Sequence, residues 1–208
     1  MSRRTTAIAA ALTVLAIGSP LVNANANPLA TEYLTQGVEK YEVGNYQGAI
    51  ADYDKGIGIN PQYADAYYNR GLAKYDLKDY QGAINDYTKA IEINPRYANA
   101  YYNRAYAKDD LKDYQGAIAD FNKAIAINPQ FANAYTSRGT AKAYSKDYQG
   151  AIADYTKAIE INPQYADPYS NRGIARELVN DLEGACRDWR KAADFGLTEP
   201  AEWVKKQC

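Results

Sequence analysis

Histidine is absent from this 208-residue sequence. Its absence removes the imidazole base, the histidine–nucleophile pair and the imidazole metal ligand. Cysteine occurs only as Cys186 and Cys208, too few for a structural zinc site built on thiolates. Neither sign of charge is in excess, since 24 basic side chains face 25 acidic ones. Nucleic acid rewards a basic surface through counterion release, so this balance speaks against it, and equally against a polybasic membrane anchor. No phosphate-cradling glycine loop is present. Beyond residue 26 the only serines are Ser137, Ser145 and Ser170. With no base to activate them, neither an enzyme nor a metal or cofactor site is expected.

Long apolar runs are missing as well. The longest, Ala7 to Ile17, is shorter than the roughly 20 residues that span a bilayer. It follows Arg3 and Arg4, precedes the breaker Gly18-Ser19-Pro20 and leads to the small-x-small pattern Ala24-Asn25-Ala26. That order is the order of a secretory signal peptide, so residues 1–26 are expected to be removed on export to the periplasm or the exterior. No membrane insertion is expected after cleavage.

Tyrosine is abundant, with 21 copies, and it recurs with a period. Pro61, Pro95, Pro129 and Pro163 stand 34 residues apart, each after an Asn. Tyr46, Tyr80, Tyr114 and Tyr148 each open the phrase Tyr-Gln-Gly-Ala-Ile in the same register. A fixed period of this length marks a solenoid. Five units follow, at 30–63, 64–97, 98–131, 132–165 and 166–199, with a tail at 200–208. Each unit reads as two helices. The first is expected to open on a capping side chain at Thr31, Asp65, Asn99, Asn133 or Asp167, the second at Asn45, Asp79, Asp113, Asp147 or Asp181. Ala83, Ile84, Tyr87, Ala90 and Ile91 put one apolar stripe on the second helix, and the Asn-Pro step stops it. Neither helix can bury its stripe alone. Stacked pairs can, which predicts an all-α, right-handed superhelical solenoid of five pairs, closed by a C-terminal capping helix.

These residues resemble the tetratricopeptide repeat family. Tyr33, Tyr67, Tyr101, Tyr135 and Tyr169 fill its early aromatic position, and Gly37, Gly71, Ala105, Gly139 and Gly173 its small position four residues on. Ala83, Tyr87 and Ala90 match its second helix, as do Ala117, Phe121 and Ala124. The phrase Tyr-x-Asn-Arg-Gly-x-Ala-Lys looks like cyanobacterial members, which would add the thylakoid lumen to the destinations. Lys191 to Trp203 resembles a Sel1-like unit. Gly56 departs from the pattern, where Ala is expected; a helical Gly costs about 1 kcal/mol relative to Ala, so that end is expected to fray first.

The resemblance implies a protein-interaction scaffold whose first helices line a concave groove. Carried over by position, the groove shows Tyr41, Tyr68, Leu72, Tyr75, Tyr102, Tyr106, Asp109, Thr136, Thr140 and Ile174. Tyrosine suits a protein or peptide partner, offering rigid area and a polar tip at low entropy cost. Packing between neighbouring first helices is the competing role for these rings. The family's clamp for a terminal carboxylate needs Lys and Asn where Leu34, Val38, Tyr68 and Leu72 stand, so that mode is not expected. Asp76, Asp109, Asp110 and Glu177 near the groove edge point to an uncharged or basic ligand segment. A glycan or cell-wall module, and self-assembly through the exposed end of the first unit, are the alternatives.

Two further patterns concern the frame. Arg70, Arg104, Arg138 and Arg172 hold one repeat position, and Lys40, Lys74, Lys108, Lys142 and Arg176 another four residues past it. Asp52, Asp86, Asp120, Asp154 and Asp188 match them copy for copy, which predicts an ion-pair network aligning the two helices of each unit. Cys186 and Cys208 could staple the cap in an oxidising compartment, or remain a buried thiol and a free end.

Overall fold

The computed structural model describes residues 27–208, so the expected signal peptide lies outside the described residues. Eleven helices and no strands make up the described chain. They are α1 (Pro28–Glu42), α2 (Tyr46–Ile59), α3 (Ala64–Asp76), α4 (Tyr80–Ile93), α5 (Ala98–Asp110), α6 (Tyr114–Ile127), α7 (Ala132–Tyr144), α8 (Tyr148–Ile161), α9 (Ala166–Leu178), α10 (Leu182–Asp194) and α11 (Thr198–Gln207). Consecutive helices pair as five hairpins, each stacked on the next, and α11 closes the array against α10.

The second helices start where the sequence predicts. Asn45, Asp79, Asp113, Asp147 and Asp181 each accept a hydrogen bond from a backbone N–H three residues on, at 2.9–3.0 Å. The first helices do not. Those of units two to five begin after Tyr63, Tyr97, Phe131 and Tyr165, with no side-chain cap, and the first begins on Asn27, whose side chain accepts from Leu29 N–H. The preceding turn explains the shift. Asn60 and Asn94 accept from the backbone N–H two residues on and from that of Tyr63 or Tyr97. This turn hands the chain into a helix two residues earlier than a cap at Asp65 or Asn99 would.

Each hairpin turns on one residue with positive φ, Gly44 in the first unit and Lys78, Lys112, Lys146 and Asn180 thereafter. Within each unit one ring fills the space between the helices: Tyr53, Tyr87, Phe121, Tyr155 and Trp189 are all buried. A Cβ on Gly71 would lie 2.6 Å from Tyr87 Cε1, so the small position exists for the ring. The one unit with Ala there, at Ala105, pairs it with Phe121. Gly56 is buried in α2 beside the Ala30 carbonyl, 3.3 Å from where its Cβ would stand.

Candidate functional site

The charge ladder is built within each unit, as its spacing predicts. The five Asp are buried, none more than 5 % exposed. Arg104 grips Asp120 through two nitrogens, at 2.8 and 2.7 Å, and Lys108 adds a third contact at 2.7 Å. Arg70 and Lys74 hold Asp86 in the same way, Arg138 and Lys142 hold Asp154, and Arg172 and Arg176 hold Asp188. In the first unit Lys40 and Lys55 serve Asp52. Burial opposes the charge on Asp52, but these two lysines outweigh it and hold the carboxyl below its ordinary range.

A second function of the arginines has no counterpart in the sequence pattern. Their remaining nitrogen reaches back into the preceding unit: Arg70 to Asp54 at 2.6 Å, Arg104 to Thr88 at 2.9 Å, Arg138 to Asn122 at 2.6 Å and Arg172 to Thr156 at 2.9 Å. Each guanidinium also lies over the ring three residues before it, Tyr67, Tyr101, Tyr135 or Tyr169, at 5.3–5.7 Å. The ladder therefore joins units as well as helices, and each of its cations is held against a buried Asp.

On the first-helix face, tyrosines are tied to polar side chains of the next unit. The Tyr41 hydroxyl donates to Asp76 at 2.5 Å, and Tyr75 donates to Asp110. Burial and the Asp76 carboxylate raise the Tyr41 pKa, which keeps the donor proton in place. Tyr68 lies tilted against Tyr97, ring centroids 4.8 Å apart, and accepts from Asn103, and Tyr106 accepts from Ser137. Leu72 packs against Ala83, Tyr87 and Ala107. Tyr102, at 7 % exposed, is wedged among Tyr106, Phe121 and Phe131. Thr136, at 6 % exposed, bonds its own helix, and Thr140 shares a hydrogen bond with Tyr155. Asp109 is half-buried.

Exposed apolar side chains occur along the whole array, at Val43, Leu77 and Leu111 where the first helices of units one to three end, and again further along. Ile174 is 38 %, Leu178 54 % and Tyr144 55 % exposed, with Tyr144 stacked on Tyr114 at 5.4 Å. Thr140, Ala143 and Ser170 between them are small. Sequence reasoning placed Ile174 in the groove but missed Tyr144 and Leu178. Their signal was a break in the column Glu42, Asp76, Asp110, which turns apolar in the last two units.

At the C-terminal end Cys186 and Cys208 are joined, with Cα atoms 5.8 Å apart. Trp203 of α11 meets the buried Trp189 edge to face at 5.4 Å. No group of His, Cys, Asp or Glu suited to a metal ion occurs among the described residues, and no described helix is long and apolar enough to cross a membrane.

Helical hairpins stacked in one register and riveted by a buried ion-pair ladder define an α-solenoid repeat protein. The chain belongs to the tetratricopeptide repeat family. A tetratricopeptide repeat model matches residues 64–97 and 98–131, and a TPR repeat model matches 37–78 and 141–178, together well over half of the chain. No curated protein matches it. Among solved structures it is similar to MamA, with 28 % identity over 86 % of this chain and 94 % of that one, at a TM-score of 0.74. It shares its fold with YrrB, described as a TPR protein with an unusual peptide-binding site, at 22 % identity, 85 % and 92 % coverage and a TM-score of 0.73. PilF of Pseudomonas aeruginosa also has this fold, at 16 % identity, 86 % and 88 % coverage and a TM-score of 0.75.

Proposed function

We propose that the protein is a non-enzymatic scaffold that binds a protein or peptide segment along its first-helix face, seated towards units four and five. One observation carries this reading: the ladder's cations are held against buried Asp side chains, while Asp110, Glu177, Ile174, Leu178 and Tyr144 stay at the surface of that face. The surface is thus apolar with an acidic edge. It suits a segment with bulky apolar side chains and basic or uncharged neighbours. YrrB, of the same fold, has a peptide-binding site, which supports the class of ligand.

We further propose export, on the signal-like order of residues 1–26 and on the Cys186–Cys208 pair, which an oxidising compartment would keep joined. The binding reading is tested with the full chain and two fluorescent peptide pools, one alternating Leu with Lys and one alternating Leu with Glu. The Lys pool should bind more tightly, and Ile174→Ser with Leu178→Ser should weaken it at least tenfold without loss of helical signal. Preference for the Glu pool would overturn the reading.

A further inference from the structure

Every unit after the first docks on its predecessor through three side-chain positions. Two are small and buried: Ala66, Ala100, Ala134 and Pro168 in one column, and Ala73, Ala107, Ala141 and Ala175 in the other. The third is the arginine that reaches back into the unit before it. In the first unit all three change together. Glu32 and Glu39 stand in the two alanine columns, both exposed, and Gln36 replaces the arginine. Gln36 has no earlier unit to reach and donates instead to Glu32 at 3.1 Å along its own helix.

We infer that Glu32, Gln36 and Glu39 are a built-in terminus that closes α1 to any further repeat and to end-on stacking by a second copy. A unit placed there would bury two carboxylates in the positions that elsewhere admit only a methyl group or a proline ring. Nothing in the small columns of a neighbour pairs them, and an unpaired buried carboxylate is strongly unfavourable. The exchange of Arg for Gln removes the hydrogen bond that would otherwise draw the neighbour in. The other end is closed by a different device. The position that accepts the arginine in units one to four, namely Asp54, Thr88, Asn122 and Thr156, becomes the cation Arg190 in unit five, and α11 covers the face. The protein is therefore a single cradle of fixed length. Its partner meets the sides of one copy and not the junction between two.

The experiment duplicates residues 64–97 between Leu29 and Ala30 of the full chain, which keeps the 34-residue register, once with α1 unaltered and once with Glu32→Ala, Gln36→Arg and Glu39→Ala. The substituted chain without the insert is the folding control and should keep the wild-type helical signal. In the substituted background the added hairpin should dock, protect its amides from exchange and raise Tm by about 5 °C. In the unaltered background its amides should exchange as an unprotected segment and Tm should not rise. Docking in both backgrounds, or in neither, overturns the inference. So does sedimentation of the unaltered chain as end-to-end oligomers that Glu39→Arg disperses.

Discussion

The first-helix face differs between its two halves. In units one to three it is a lattice of tyrosines whose hydroxyls are committed: Tyr41 to Asp76, Tyr75 to Asp110, and Tyr68 to Asn103. In units four and five the same columns hold Thr136, Ser170, Thr140, Ile174, Ala143 and Glu177, and no such row of rings forms. Both halves stand on the same ladder, the same ring column and the same capped second helices. The repeat thus separates two tasks. Its buried positions are copied because each unit must fit the next, whereas its first-helix face is free to vary along the array. A tyrosine-rich patch in the sequence marked the half that is consumed by packing. In the other half Thr136 and Ser170 are buried as well, and the exposed groups are Ile174, Glu177, Leu178 and Tyr144.

The ladder is common to both halves, so Asp86→Ala and Asp154→Ala should each cost about 3–5 kcal/mol by leaving buried cations unpaired. Chemical denaturation of the two variants measures this. A cost confined to one half would mean that the frames differ too. Next in size, Gly71→Ala should cost about 1–3 kcal/mol, because its Cβ would overlap the Tyr87 ring, which Gly139→Ala should reproduce against Tyr155. Thermal melts of both variants check that the ring column is uniform.

Tyr75→Phe cuts one tie of the N-terminal lattice and should cost about 1–2 kcal/mol, since the lost bond goes to a carboxylate. Ala143→Ser, in the same column of unit four, should change stability by less than about 0.5 kcal/mol. Equal effects would erase the contrast between the halves.

The pH dependence sharpens it at the N-terminal end. Asp52 has a lowered pKa in the folded chain, so it binds protons less readily there than when unfolded. Its contribution is complete above the ordinary carboxylate range near pH 4 and is lost as pH falls through its folded value. Acid titration followed by circular dichroism should show this loss in the wild type and not in Asp52→Asn. A last contrast concerns the buried hydroxyls of the ring column. Among the described residues the Tyr87 hydroxyl has no hydrogen-bond partner, whereas Tyr155 shares a hydrogen bond with Thr140 at 3.2 Å. Tyr87→Phe should be neutral or slightly stabilising, and Tyr155→Phe should cost about 1 kcal/mol, as equilibrium unfolding will show.

Local chemistry made much of this legible in advance. A carboxylate before Tyr-Gln-Gly caps a helix wherever it stands, because the cap bond spans only three residues. The ladder was legible because five Asp recur in step with two basic columns. The first-helix starts were misplaced because the Asn turn before them competes with Asp65 or Asn99 for the same stretch of backbone. Gly56 reads as a weak point from composition alone, yet it lies against the Ala30 carbonyl, where a methyl group would be crowded.

The sequence by itself determined the hairpin, its period and its internal ion pairs, since these rest on contacts within one unit and recur with it. Only the tertiary structure decided which tyrosines face each other across units, which nitrogen of each arginine reaches backwards, and what the first and last faces present. Those depend on how one unit sits on its neighbour, and a contact between residues 35 apart is set by the stacking geometry rather than by any local rule.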